Sequence, residues 1–319
     1  VALISIIVTC YNKSEYIKET IASVLEQTFT DWELLIIDDA SIDNSVNKIS
    51  EFEDKRIKLI VNECNKGANY SRNLGLNMAV SEYVIFLDGD DLLSNTCLDN
   101  RWKVVQKNKG FDLYVFDMGV FNDTVGDDKR IWSPRTKDPL KDFLAHKLPW
   151  TIMQPLWHKK LLLNINGFDE KFSRLQDVEL STRALMQKGV KFKIINGCPD
   201  CYYRVKQNRI ASIYQLMEKW VTSCNTYCGK FALLLSGTPY YKYLFGTIAR
   251  THLQLIHYFK VNKITHDELI FLEKKLYNDA PSLNSLQRVV VKVIRFFNLK
   301  GLNIPGFNYF GVSLLIRLA

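Results

Sequence analysis

Apolar positions along the first 117 residues change period again and again, and the change is regular. Leu3-Ile4-Ser5-Ile6-Ile7-Val8 is a short β-branched run, the pattern of a strand buried on both faces. Ile17, Ile21, Val24 and Leu25 then share one face of a helix. Leu34–Ile37 predicts a second strand, followed by a helix carrying Val46, Ile49 and Phe52. Ile57–Val61 predicts a third strand and Ala68–Ala79 a helix; Tyr83–Leu87, Leu98–Val105 and Leu113–Phe116 continue the alternation. Strands alternating with helices predict an α/β fold, doubly wound on a mainly parallel sheet with right-handed crossovers.

From Phe121 to Pro149 the alternation gives way to loop with one short helix, opened by Asp138-Pro139. A helix over Gln176–Gln187, a strand over Val190–Ile195 and a strand at Cys201-Tyr202-Tyr203-Arg204 follow. Beyond Ser212 only helical spacing remains. The pattern therefore predicts two domains, an α/β domain over 1–212 and an α-helical C-terminal region over 213–319, with no internal repeat.

Open parallel sheets bind ligands beyond the carboxyl ends of their strands. In this chain those positions hold Thr9-Cys10-Tyr11-Asn12, Asp38-Asp39-Ala40-Ser41, Asn62-Glu63 and Asp88-Gly89-Asp90-Asp91. Several carboxylates on one tight turn repel each other unless a cation joins them, and oxygen-only ligation suits Mg²⁺ or Mn²⁺ bridging to a diphosphate; a solvated acidic turn is the plainer reading. Asp39 suits a nucleobase N–H, while Ser41 beside it could cap the next helix. Tyr11 could stack on a base or merely cover the sheet edge. Lys66 and Arg72 flank a helix start, which suits a diphosphate or an ordinary basic face. The formal net charge of +8 points to anionic partners without choosing among them.

Taken in order, each at a strand end, these segments resemble the family 2 glycosyltransferases, which have the GT-A nucleotide-diphospho-sugar-binding fold. The resemblance covers about residues 3–212 and continues into Asn166-Gly167-Phe168-Asp169-Glu170 and Leu175-Gln176-Asp177-Val178-Glu179-Leu180. It implies that Thr9, Tyr11 and Asp39 hold the nucleobase with Arg72 on the nucleotide side. Asn12, Lys66, Asp88 and Gly89 complete the expected nucleotide-binding set. It implies Asp88 and Asp90 as the acids of the metal motif, binding Mn²⁺ or Mg²⁺, and Asp177 as the general base of an inverting transfer. Arg204 is expected near the diphosphate, with Lys206 where many relatives carry a histidine; Gln176 departs from the usual acidic pair. Trp157 and His158 fall where relatives often form the acceptor wall, though packing would also explain them.

The function implied is transfer of a sugar from a nucleoside-diphosphate donor, UDP favoured, to a saccharide or lipid-linked acceptor in cell-surface polysaccharide synthesis. A nucleotidyltransferase of related fold would need a glycine-rich loop after the first strand, and Thr9–Ser14 contains no glycine. A dehydrogenase or P-loop enzyme would need glycine fingerprints the chain lacks. A non-catalytic module binding anions or nucleic acid would have its phosphates repelled by the strand-end acids, so no nucleic-acid partner is expected. Cys198, Cys201, Cys224 and Cys228 read as reduced thiols rather than a zinc set, and the five histidines form no HExxH pair. Seven scattered cysteines and the absence of a long apolar run suggest a cytoplasmic chain. From Pro281 to Ala319 no acid occurs, while Arg288, Lys292, Arg295, Lys300 and Arg317 interleave with apolar residues. That stretch reads either as a peripheral anchor on the inner face of the plasma membrane or as a helix packed on the catalytic domain.

Overall fold

The computed structural model describes residues 2–205, 212–278, 285–299 and 307–318. In chain order the elements are β1 (Ile4–Cys10), α1 (Ile17–Leu25), β2 (Trp32–Asp38), α2 (Ser45–Ser50), β3 (Ile57–Val61), α3 (Ala68–Met78), β4 (Tyr83–Asp88), β5 (Leu92–Leu93) and α4 (Cys97–Lys107). Then come β6 (Leu113–Phe116), β7 (Met118–Phe121), β8 (Ile131–Trp132), α5 (Pro139–Leu144), β9 (Pro155–His158), α6 (Lys159–Asn164), α7 (Gln176–Leu185), β10 (Phe192–Ile195) and β11 (Cys201–Arg204). Helices α8 (Ile213–Leu235), α9 (Leu244–Lys260), α10 (His266–Asn278), α11 (Ser285–Leu299) and α12 (Phe307–Arg317) complete the chain.

The first compact unit comprises Val1–Thr136, Pro149–Lys171 and Arg183–Asn208. Its main sheet runs β10-β6-β9-β4-β1-β2-β3, parallel throughout except for β9. The run Trp32–Asp38 is buried at every position because helices cover the sheet, and α3 packs on β1 and β2. The periodicity did not predict β9, which enters antiparallel with Trp157 opposite both Val84 and Leu113. Four residues opening with a proline give too little alternation to read, although proline is compatible with the first strand position. A second sheet, β5-β11-β7-β8, grows from the residues directly after the acidic turn. Its strands are two to four residues long; β11 falls where Cys201-Tyr202-Tyr203-Arg204 predicted a strand, whereas β5, β7 and β8 are too short to leave a period.

The second unit comprises Lys137–Leu148, Phe172–Thr182 and Arg209–Ala319. Thus two segments from earlier in the chain join the C-terminal helices, whereas the spacing predicted a single cut near 212. Helix α8 buries Val221, Cys224, Tyr227, Cys228 and Phe231, a helical stripe. Helix α5 starts where Asp138-Pro139 predicted, with Asp138 accepting from the Lys141 amide, and Thr247 on α9 donates to the Leu144 carbonyl at 2.7 Å. The first turns of α7 belong here through Thr182–Tyr227 at 2.7 Å and the Glu179–Lys230 ion pair at 2.7 Å.

Candidate active site

Register brings the candidate residues together. Parallel pairing sets Thr9 opposite Asp88 and Cys10 opposite Asp38, so the carboxyl ends of β1, β2 and β4 finish level. The loop after β1 is stapled to the loop after β2: the Asn12 amide donates to Ser41 Oγ at 2.9 Å, and Asn12 Oδ1 accepts from the Ile42 amide at 2.9 Å. Asp38 accepts from the Ser41 amide and hydroxyl, so Ser41 braces this loop, and α2 has Asn44 at its cap instead. Asn12 (φ 52°) and Ala40 (φ 61°) both occupy the left-handed region, a local cost that side-chain staples of this kind can hold.

Asp39 is buried and turns toward the start of α3. It accepts from the Lys66 amide at 2.9 Å, the Gly67 amide at 2.8 Å and Asn62 Nδ2 at 2.8 Å. Gly67 stands at φ 90°, a left-handed conformation that glycine adopts without steric cost where the chain turns into α3. An ionised carboxylate offers about four acceptor positions, so roughly one is left for a ligand N–H. Lys66 itself lies over the Tyr70 ring at 4.5 Å, out at the surface. Tyr11, 44% exposed, offers a ring edge and face to solvent beside this loop.

At the tip of β4 the acids are divided by their partners. Asp88 accepts from Arg72 Nη2 at 2.8 Å and from the Thr9 hydroxyl at 3.3 Å. Burial alone would raise its carboxyl, but Arg72, Lys13 and Thr9 outweigh that and hold it below the usual carboxylate range. Asp90 pairs with the Lys13 ammonium, yet burial, with Asp88 adding to it, keeps its carboxyl raised against Lys13. Asp91 is pushed up well above the ordinary range by burial and by its two neighbours, although the Arg204 amide donates to it at 2.8 Å. Gly89 lets the turn approach β1 closely: a Cβ there would stand 3.0 Å from the Thr9 carbonyl oxygen, which itself accepts from the Gly89 amide, so a side chain would require a shift of a few tenths of an ångström.

Two carboxyls held raised on one buried turn mark a place short of positive charge, the condition a divalent cation relieves. Among the described residues no three His, Cys, Asp or Glu side chains are grouped to hold a metal ion by themselves. Mg²⁺ and similar hard cations bind through one or two carboxylates and complete their shell with phosphate oxygens and water. Asp88 and Asp90 fit that donor set.

Other expected residues lie elsewhere or are otherwise engaged. Trp157 is 1% exposed, and His158 stands opposite Tyr83 at the far end of β4 from Asp88. Five residue-to-residue steps along β4 separate Tyr83 from Asp88, roughly 16 Å, so neither side chain forms a wall at the acidic turn. His158 instead caps α6 through Nδ1 and packs edge-on against Tyr83 at 5.3 Å. Arg204 is buried between the Tyr16 and Phe121 rings and donates to the Asp90 carbonyl at 2.9 Å and to Glu19 at 2.5 Å. It braces the acidic turn from beneath rather than offering its cation to a diphosphate. Lys206 lies outside the described residues. Asp177, in the second unit, is half-buried in the first turn of α7, where it accepts from the Val178 amide at 3.0 Å. Its neighbour Glu179 is buried against Lys230.

Lys13 and Asp91 were not singled out from the sequence. For Lys13 a clue existed: it stands four residues beyond Thr9, in the loop at the carboxyl end of the first strand, where an open parallel sheet binds its ligands. Asp91 carried none, because burial alone distinguishes it from a solvated acid.

The model of the family described as Glycosyl transferase family 2 matches residues 5–163. The chain is 44% identical over 106 residues to the Escherichia coli UDP-Glc:alpha-D-GlcNAc-diphosphoundecaprenol beta-1,3-glucosyltransferase WfgD, a match spanning 33% of this chain and 42% of that protein. It therefore spans less than half the length of that relative. It is 31% identical over 239 residues to the uncharacterized glycosyltransferase MJ1057 of Methanocaldococcus jannaschii, covering 68% of this chain and 79% of that one. Among solved structures, Staphylococcus aureus TarS 1-349 in complex with UDP superposes with a TM-score of 0.67 at 17% identity, over 99% of this chain and 88% of that one. The Pyrobaculum calidifontis mannosyltransferase PcManGT, in complex with GDP-Man and Mn²⁺, gives 0.57 at 14% identity, over 99% and 85%. At these identities the structural likeness speaks for the fold alone.

Proposed function

This chain belongs to glycosyl transferase family 2, and from that premise we propose that it moves a sugar from a nucleoside-diphosphate donor to a hydroxyl of a saccharide or lipid-linked acceptor, inverting the anomeric centre. The observation that carries the reading is the level ending of β1, β2 and β4, which gathers Thr9, Asp39, Arg72 and the Asp88–Asp91 turn at one sheet edge. A uridine diphosphate donor is favoured: Asp39 keeps an acceptor position suited to an imide N–H, and one relative's name specifies UDP-Glc.

In this reading Tyr11 stacks on the base and Asp39 accepts its N–H. Arg72 and Lys13, each already beside a carboxylate, turn part of their charge toward the diphosphate. A divalent cation held by Asp88 and Asp90 would supply charge neutralisation to the leaving diphosphate. Asp177 takes the proton from the acceptor hydroxyl as that oxygen bonds to the anomeric carbon. The bond from that carbon to the diphosphate oxygen breaks, and the nucleoside diphosphate leaves with the electron pair. A positioned base contributes about 10²–10⁴-fold. For a lipid-linked acceptor, the reaction lies at the inner face of the plasma membrane, met by the basic helix α11.

A thermal-shift series of nucleoside diphosphates, each with and without Mn²⁺, tests the donor site. UDP is expected to raise the melting temperature, and more so with Mn²⁺; no response to any nucleoside diphosphate would remove the assignment. Asp177→Asn should keep that shift while transfer falls by about 10²-fold or more. Unchanged transfer in this variant would take the base role away from Asp177.

A further inference from the structure

The helical unit holds a cleft whose chemistry the transfer reaction does not use. Its volume is about 240 Å³, and its walls come from α5, α9 and α12 with the short turn before α9. Lys141, Lys147, Lys242, Arg250 and Arg317 line it, with no acid among the lining residues. Lys147 is paired with Asp142 at 3.1 Å. Lys141 and Lys242 both stand over the Tyr243 ring, at 5.1 and 5.7 Å, and among the described residues neither they nor Arg317 have a carboxylate partner. Holding like charges this close costs free energy that an anion would recover.

We propose that this cleft binds a phosphate or diphosphate group carried on a lipid. The volume lies below the about 300–1,000 Å³ of pockets that enclose a whole small ligand, so it suits a head group whose remainder stays outside. The same unit supplies a surface for that remainder. On α11, Leu286, Val289, Val293 and Phe296 recur at helical spacing and are all exposed, while Val290, Val291 and Ile294 face the core. Arg288 and Lys292 accompany the exposed stripe, and Phe310 of α12 is exposed as well. Apolar side chains flanked by cations, without acids, match an anionic bilayer surface. Among the described residues no helix is long and apolar enough to cross a membrane, so the contact is interfacial. That the bound lipid is the acceptor rests on the transferase reading; that the cleft takes its phosphate group does not.

The test is sedimentation of the full chain with phosphatidylcholine vesicles containing a polyprenyl diphosphate, phosphatidylglycerol at matched charge, or neither. Each is run with and without inorganic pyrophosphate, and UDP thermal shift serves as an independent check of the first unit. The parent chain should prefer the polyprenyl diphosphate vesicles, pyrophosphate should compete, and added salt should weaken binding. The triple variant Lys141→Gln, Lys242→Gln, Arg317→Gln should lose at least about tenfold in vesicle affinity and keep its UDP shift. Lys141→Arg with Lys242→Arg should bind as the parent does. If the triple variant loses its UDP shift, Arg317→Gln alone, at an exposed position, gives the same reading. Undiminished binding by the glutamine variants overturns the proposal, and so does equal, pyrophosphate-insensitive binding to phosphatidylglycerol. A chain with no UDP response that still shows the cleft-dependent preference would refute the donor reading and leave this one standing.

Discussion

Asp39 accepts from three donors at once, and two of them are backbone amides at the entrance to α3. Asp39→Asn keeps the shape but replaces one acceptor with a donor facing an amide. The expected cost is about 1–3 kcal/mol in stability, together with at least about tenfold weaker UDP binding, read by urea unfolding and calorimetric titration. His146 shows a different residue-scale effect. Its ring stacks on Trp220 at 5.5 Å with Nδ1 enclosed, and burial, reinforced by Arg250, lowers the imidazole from 6.5 to about 4. Below pH 6.5 the unfolded chain takes up a proton that the folded chain refuses, so stability is lost as pH falls from about 6.5 toward about 4. Over that whole window the size is on the order of 3 kcal/mol. His146→Asn, which tolerates the local φ of 53°, should flatten that dependence in urea midpoints compared between about pH 7 and about pH 5.

At the scale of elements, a buried ion pair fastens α4 to the start of β11. Arg101, fully enclosed, donates to Asp200 at 2.9 and 2.7 Å and to the Met153 carbonyl at 3.1 Å, with its guanidinium over Phe116 at 4.8 Å. Removing one partner leaves the other charge buried alone, so Asp200→Ala should cost about 3–5 kcal/mol. Arg101→Met combined with Asp200→Leu should cost less than either single change to alanine, measured by thermal unfolding. Because β11 carries Arg204 beneath the acidic turn, the single change should also weaken the Mn²⁺-dependent part of UDP binding. The long strands and helices of the first unit were legible from period alone, since burial on both faces demands an uninterrupted apolar run. Strand β9 was not: its pairing to β4 and β6 is set by neighbours more than twenty-five residues away in sequence. That pairing is why Trp157 and His158 proved to be packing residues.

For the whole molecule, the second unit is assembled from three separate stretches of chain. Residues 137–148 and 172–182 bury Phe143, Leu144, Phe172 and Val178, and their unit partners lie beyond residue 208. A chain cut after Asn208 should therefore not behave as a clean catalytic domain. It is expected to melt lower and to associate through the exposed apolar side chains, as followed by calorimetry and size-exclusion chromatography. The net charge of +8 alone does not locate a binding surface. The fold does: it places three lysines and two arginines around one small cleft, and leaves acids at the strand tips.

The alternation of apolar periods determined the parallel sheet, and the sheet determined that ligands belong at its carboxyl edge; both follow from local backbone geometry and burial, which a sequence carries in every window. Tertiary structure alone decided which acids are relieved by a cation and which are not. Arg72 holds Asp88 low, whereas Asp90, despite Lys13, and Asp91 both stay raised, because charge balance depends on burial and on distances across strands distant in sequence. The same reason separates Arg204, consumed in bracing, from a free diphosphate ligand: residue type was visible in the chain, but its partners existed only once the strands had paired.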